Sequence, residues 1–525
     1  MKKFFSIFFV LICIGLVLSL TFYPLSGKVI AAGETPPSYP MGPNLEQFPA
    51  GYNPLTGLPV SDPSWLELPA VLVSLAHFPP TVRPQTGLSV APQVYEIYIT
   101  EGMTRFLTVF YGEAPQLLPT PAGLTPRAEP LRLNGAALGG RVWWDRNADG
   151  AQQPDEPGLG GIELQLVELG GSVIRTVLTD GNGYYAFSPR IGKLYAVRLQ
   201  IPEGFRLTSG GAEVPVQDGS AHNVAQTRVF TFRQTDLNLD FGLEWNQMTN
   251  GSGENQNQSN AIVGIEQPQD AGLAGVRSGR EAYVPIAAAF PNGCLVAASK
   301  SAEVNLRICR NVFGSNPQDI NSAGLSVTQL RRLAEANRNP SAPPNYSGNV
   351  FDPQPPAGGQ PADQVNVFYA YLNQARWMYD PVAGAYWRYQ DYGDESRVGQ
   401  FVPATDRLTN RPVLFENVVV LFVEHSARTP TIIDLNMQPG TKGKAVVFRN
   451  GQVYTNVYWS MVGEEYEKTT GLARPVRLRY ADGRPFPLAP GQTWLHIATT
   501  NSTVYEETGQ PGVWKFRFYP PKGAK

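Results

Sequence analysis

The chain has 525 residues, room for roughly three or four domains. Its 42 Lys and Arg balance 44 Asp and Glu, and no basic run occurs beyond the first residues, which excludes the cationic face that a nucleic-acid partner needs. With 52 Gly, 47 Pro and only 16% charged residues, the composition is that of a turn-rich, strand-rich protein with proline-laden connections.

The first 32 residues read as an export segment. Lys2 and Lys3 start it, an apolar run extends from Phe4 to about Leu25, and Ala31 and Ala32 close it. Val29 and Ala31 suit cleavage after Ala31, yet the run is also long enough to remain as an anchor. Residues 1–32 are therefore a signal peptide or an N-terminal anchor, and membrane contact is expected only there. Cys13 lacks the small preceding residue that lipid attachment needs. The rest of the chain is expected outside the cytoplasm, extracellular or at the cell surface. Residues 33–51 form a proline-rich lead expected to lack structure.

A compact region covers residues 52–113, where Val94–Thr100 and Thr104–Tyr111 flank "EGM" and read as a hairpin. Residues 114–131 are a linker by composition, 132–244 a self-contained β pattern, and 245–260 a polar, low-complexity linker expected to be disordered. Two linkers around one compact unit indicate an inserted domain, a change tolerated at exposed loop tips. From 261 to 350 the outer texture resumes. "GREAYVPIAAAF" and "SVTQLRRLAEANRNP" are helical, and Ser326 and Gln329 have capping-box spacing. Residues 365–520 are β-rich, with turn signals at Asn450-Gly451 and Asp482-Gly483. The fold class is thus α+β and β-rich, with a self-contained β unit inserted on flexible linkers; the two-lobed form of the host is what the resemblance given below implies. Cys294 and Cys309, fifteen apart, are expected to pair in an oxidising compartment, the alternative being two buried free thiols.

"DRNADGAQQPDE" matches the calcium-loop pattern D-x-[DN]-x-[DN]-G-x5-E, although its flanks are strand-like rather than helical. Calcium takes six to eight hard oxygens. Here they come from Asp145, Asn147, Asp149, the carbonyl of Ala151, Gln153 or a water, and Glu156, with Gly150 at the sharp turn and Asp155 as an extra carboxylate. All ligands lie in one loop, so paired strands can hold its ends as well as helices can. The competing reading is an acidic turn closed by Asx hydrogen bonds.

The stretches "GGRVWWDRNADGAQQPDEPGLGGIELQL", "VLTDGNGYYAFSP", "LYAVRLQIPEGF" and "DLNLDFGL" resemble the SdrD B-like repeat of bacterial surface proteins, within a wider Cna-B-like group. The resemblance implies a prealbumin-like β-sandwich, a spacer or presentation module stiffened by calcium at Asp145, Asn147, Asp149 and Glu156. Gln153 departs from the acid common there, which weakens the expected affinity. Some relatives carry a Lys–Asn crosslink. Lys193 is the insert's only lysine and none lies in its first strand, so no such bond is expected.

The outer segments resemble the YerB-like lipoprotein family, a domain of unknown function, through "NPLTGLPV", "RPQTGLS", "VYEIYITEGMTRFLTVF", "GVRSGR", "NVVV", "VFRNGQ" and "PGQTWLHI". That resemblance implies a mixed N-terminal lobe and a β-rich C-terminal lobe, and no activity. The family's "GGS" appears here as "AASKS" and its "APHN" as Pro343-Pro344-Asn345 preceded by Ala342, without the histidine.

The chemistry points away from catalysis. Strand alternation sets Glu96 and Glu101 on opposite faces, against a paired-carboxylate glycosidase unless a turn at Gly102 brings Glu101 round. His77, His222, His425 and His496 show no metal-ligand spacing, and no G-x-S-x-G elbow or phosphate loop is present. Arg83, Arg105, Arg277 and Arg280, with Glu101, are the candidate ligand-binding set, for an anion such as a wall polymer or a carboxylate. The competing reading pairs these arginines with Glu96 and Glu101 as a buried scaffold. Trp459 and Trp494 are expected in the core. The expected function is an exported cell-envelope protein that presents a calcium-stabilised sandwich and binds a cell-wall polymer or surface glycan. The alternative is an envelope hydrolase or transferase with its site between the host lobes, around Glu101, Arg105 and Arg277.

Overall fold

The computed structural model describes residues 38–113, 124–131, 133, 135–153, 156–214, 224–245, 272–316 and 318–524. The export segment, His222, the stretch 246–260 and Asp155 lie outside the described residues. The chain divides into units Met1–Tyr39 and Pro40–Lys525, and the architecture below is that of the second. No helix among the described residues is long and apolar enough to cross a membrane.

Eleven strands of the host form one sheet. From one edge the order is Arg310–Asn311, Cys294–Ala297, Val71–Ala76, Met103–Phe110, Gln93–Thr100, Thr493–Thr499, Asn417–Val423, Lys442–Arg449, Gln452–Ser460 and Gln360–Pro361, with Arg477–Tyr480 also paired to Gln452–Ser460. One sheet thus runs through both expected lobes. Thr493–Ile497 runs parallel to Gln93–Ile97 in register. Both strands are buried along nearly their whole length, as befits a central parallel pair covered on both faces.

A second sheet of seven strands has the order Phe401–Pro403, Ala385–Asp391, Asn373–Asp380, Gln364–Ala370, Val513–Arg517 and Thr503–Glu506, with Leu414–Phe415 beside Ala385–Asp391. It packs on the first sheet through Phe106, Trp377, Phe415, Trp494 and Phe516. Among the described residues the α-helices are short: Val284–Ala288, Val327–Ala336 and Glu465–Thr470. The class is α+β and β-rich.

Local signals translate directly. Asn450 and Gly451 both take positive φ between the paired strands Lys442–Arg449 and Gln452–Ser460. Ser326 and Gln329 make both arms of the capping box on Val327–Ala336. Cys294 and Cys309 are disulfide-bonded, their Cα atoms 5.4 Å apart. The proline-rich lead departs from expectation: Met41 is fully buried and exchanges two backbone hydrogen bonds with Phe351, so an apolar side chain anchors the lead to the host.

The insert is a β-sandwich. One sheet has the order Ala212–Val214, Val224–Gln226, Leu194–Gln200, Glu163–Glu168 and Val173–Leu178, with Phe230–Thr231 beside Leu194–Gln200. The other has Phe205–Ser209, Phe241–Trp245, Leu138–Trp144 and Tyr184–Phe187. Leu138, Val142, Leu164, Tyr185, Val197 and Phe241 fill the space between them. The expectation of a flexible entry is corrected at residues 124–131. Arg127 sets Nη2 3.2 Å from Asp180 of the sandwich and Nη1 3.6 Å from Asp380 of the host, above the Trp387 ring. The Leu131 N–H donates to Asp380 at 2.8 Å. Nearby, a Cβ on Gly181 would stand 2.8 Å from Pro412 Cδ, so the sandwich turn meets the host at a spot with no room for a side chain.

Candidate functional site

The acidic loop follows strand Leu138–Trp144 directly. Its ends are held together: Trp144 N–H donates to Pro157 O at 2.8 Å, Trp143 bridges Gly158, and Asp145 N–H donates to Leu243 O. Strands therefore do here what helices do in an EF-hand. Gly150 takes φ +74° at the turn. Asp145 is 0% and Glu156 3% exposed. Asp145 accepts from the Asp149 and Gly150 N–H groups, and Glu156 from those of Arg146 and Gln153. Asp149 accepts from Ala151 N–H, Asn147 and Gln153.

Burial pushes the Glu156 carboxyl up, the backbone donors pull it back, and Asp145 raises it further. Among the described residues, no three His, Cys, Asp or Glu side chains form a metal-holding group. Yet Gln153 Oε1 is buried with no hydrogen-bond partner among the described residues. The two buried carboxylates and the orphaned amide oxygen are hard oxygen donors, the chemistry that a hard cation such as calcium takes.

The arginines separate into two groups. Arg105, Arg277 and Arg280 line one open cleft of about 400 Å³, together with Phe78, Ile99 and Met103. Arg105 projects from strand Met103–Phe110. Arg277 and Arg280 come from a segment pinned on both sides, since Arg277 N–H donates to Ser74 O, Ala298 N–H to Arg277 O, and Gly279 N–H to Ser299 O. Arg105 Nη1 donates to the Ser278 carbonyl and, at 2.9 Å, to its hydroxyl. Arg105 is 7% exposed, and burial draws its guanidinium down to about 10, with Arg280 and Arg277 adding to the fall against Tyr283. Burial also lowers Arg280, again with Arg277 contributing, and Arg280 Nε is buried without a partner. None of the three pairs with a carboxylate among the described residues.

Arg83 and Glu101 are corrections to the proposed set. Arg83 turns away to Asp391, 3.3 Å from Oδ1, and to His77 Nε2 at 3.1 Å. Glu101 sits exposed at the hairpin tip, where it and Gly102 both take positive φ. Glu101 is absent from the lining of the cleft that holds Arg105.

One polar cluster escaped sequence reasoning because its members lie far apart in the chain. Glu96 is fully buried and accepts from Thr104 at 3.0 Å and from Trp494 Nε1 at 3.1 Å. Arg388 Nη2 stands 3.2 Å from Glu96 Oε2, in ion-pair range but poorly aligned for a hydrogen bond, and Arg388 lies over the Trp494 ring at 4.3 Å. Trp377 Nε1 donates to His496 Nε2 at 3.1 Å, so in the neutral ring Nδ1 carries the proton, facing Glu96 at 3.3 Å and the Tyr369 hydroxyl at 3.2 Å. Likewise Arg83 donates to His77 Nε2, which leaves His77 Nδ1–H to donate to Thr104 at 2.7 Å, and Thr104 in turn donates to Glu96. Burial holds both imidazoles well below 6.5, the nearby Arg388 adding to the fall. Trp459 and Trp494 are buried core residues.

Comparison with known proteins matches three stretches to families. Residues 136–243 match the SdrD B-like domain. Residues 55–119 match the N-terminal domain, and 365–495 the C-terminal domain, of the protein of unknown function DUF3048. Serine-aspartate repeat-containing protein F of Staphylococcus epidermidis is 28% identical over 142 residues, 27% of this chain and 8% of its own length. The fibrinogen-binding protein of the same organism is 35% identical over 92 residues, 17% and 8%. Serine-aspartate repeat-containing protein D of Staphylococcus aureus (strain Newman) is 39% identical over 72 residues, 14% and 6%. The chain spans less than a tenth of the length of these relatives. The crystal structure of the YerB protein from Bacillus subtilis is similar at 15% identity and a TM-score of 0.43, covering 85% of this chain and 96% of that one.

Proposed function

The chain carries both DUF3048 domains of a YerB-like host and an SdrD B-like domain, and on that premise we propose that it is an exported cell-envelope protein with a binding and structural role. The host takes an anionic ligand, and the docked sandwich is a calcium-stabilised surface module. The observation that carries the binding role is the cleft. Three arginines with no carboxylate partner face open space, and its lining among the described residues holds no carboxylate, imidazole or thiol to move a proton. Glu101, around which the enzyme alternative is drawn, is not in this lining, which supports binding as the first reading. The export segment and the Cys294–Cys309 bond support an envelope location. A screen of anionic wall polymers and surface glycans on the full chain is expected to give ligands whose retention falls on Arg277→Met. Retention unchanged by that variant, or no ligand at all, would sink the host's binding role.

For the loop, Asp145, Asn147, Asp149, Ala151 and Glu156 would hold calcium, which supplies a divalent centre for their oxygens. With the roughly 10⁻⁴–10⁻³ M affinity of extracellular modules, 10 mM calcium should stabilise the sandwich by about 1.4–2.7 kcal/mol, several degrees of melting temperature. The paired change Asp145→Asn and Glu156→Gln should abolish the shift. An unchanged melt at 10 mM calcium would favour the acidic turn.

A further inference from the structure

Resting on the reading of the cleft as an anion site, we infer that its ligand is a phosphomonoester on an apolar group. The charge balance is the first argument. Arg105, Arg277 and Arg280 bring three positive charges into one wall, where Arg277 helps to lower both Arg105 and Arg280, with no carboxylate partner among the described residues. A carboxylate offers one negative charge and two oxygens, which a single guanidinium fork already satisfies. A phosphomonoester carries about −1.5 to −2 near neutral pH and three terminal acceptor oxygens. It is the smallest common group that gives each of three forks an oxygen.

The second argument is positional. Arg105 is anchored by the Ser278 carbonyl and hydroxyl, and the segment bearing Arg277 and Arg280 is pinned by Ser74 and Ser299. The cations are therefore preorganised, and their mutual repulsion persists until an anion arrives. The third argument is size and lining. A volume of about 400 Å³ lies in the range that holds an organic ligand rather than a bare ion. Phe78, Ile99 and Met103 line the same cleft with the two prolines after Phe78, giving an apolar substituent a surface to cover.

The test is calorimetric titration of the full chain in phosphate-free buffer, with phenyl phosphate, inorganic phosphate and benzoate as probes. Vesicles with and without phosphatidic acid form a second arm. Phenyl phosphate should bind at least about tenfold more tightly than either of the other soluble probes, and Arg277→Met or Arg280→Met should each weaken it by about tenfold or more. Neither variant side chain carries a described hydrogen bond, so both should fold, and an unchanged melting curve verifies it. Binding of phosphatidic acid vesicles alone, lost in the same variants, would support the phosphomonoester and place it on a lipid. Benzoate binding as tightly as phenyl phosphate would overturn the phosphomonoester while leaving the anion site standing. If no anion binds in either arm, the inference and the anion-site reading both fall.

Discussion

Replacing Glu96 by Gln is expected to lower the unfolding free energy by about 3–5 kcal/mol, the usual cost of stranding one partner of a buried ion pair. Glu96 is the only carboxylate within ion-pair range of Arg388 among the described residues, and both side chains are fully withdrawn from water. Burial pushes Glu96 up and Arg388 down, and each is drawn back by the other. The amide keeps an acceptor for Thr104 or Trp494 but leaves the guanidinium charge uncompensated. Arg388→Met alone should also destabilise, and the double variant Glu96→Gln with Arg388→Met should recover part of the loss, since the two effects are coupled. Urea unfolding of the four chains measures this. A loss below about 1 kcal/mol for Glu96→Gln would show that Arg388 is held by the aromatic rings alone. The same core sets an acid limit. His77 and His496 have folded pKa values well below 6.5 because burial disfavours their charged forms, so the unfolded chain binds more protons below pH 6.5. Their contribution is present above that pH and lost as pH falls beneath it.

The contrast between Glu96 and the hairpin that bears it shows what the sequence carried. The alternation through Val94–Thr100, the turn at Gly102, the Asn450-Gly451 hairpin and the Ser326 capping box are local, and each formed where its residues called for it. The sandwich was legible because its strand periods, glycines and acidic loop fall within about a hundred contiguous residues. Glu96 instead bonds Trp494, 398 residues further along. No spacing rule reaches across an inserted domain, so His77 and His496 looked isolated although one carboxylate draws them together. The same distance hid the continuous sheet, which forms only when Thr493–Thr499 enters beside Gln93–Thr100. Among the arginines, those in "GVRSGR" and "EGMTR" could be read as convergent. The place of Arg83 depends on Asp391 in the second sheet, and the exposure of Glu101 depends on turn geometry.

Replacing Arg127 by Met is expected to loosen the sandwich from the host, and more so at pH 8 than at pH 5. Arg127 bridges two carboxylates that are otherwise fully buried, Asp180 on the sandwich and Asp380 on the host. Burial holds the Asp180 carboxyl up at about 6 even with Arg127 beside it, and Asp380 adds to the rise. An acid whose folded pKa is raised above its unfolded 3.8 favours the folded state most at low pH, and that support is lost as pH climbs from 3.8 through 6. The shift corresponds to about 3 kcal/mol. Without the guanidinium the Asp180 carboxyl is pushed up further, and once it ionises it repels Asp380 across the junction, so the full cost is reached only well above pH 6. At pH 5 Asp180 is largely protonated and can donate to its neighbour, which blunts the loss. Limited proteolysis of the full chain at the two pH values, scored by release of the sandwich, measures the difference, with thermal melting of the host as control. Equal release at both pH values would mean that the contact of Gly181 with Pro412, rather than the charge bridge, holds the domains together.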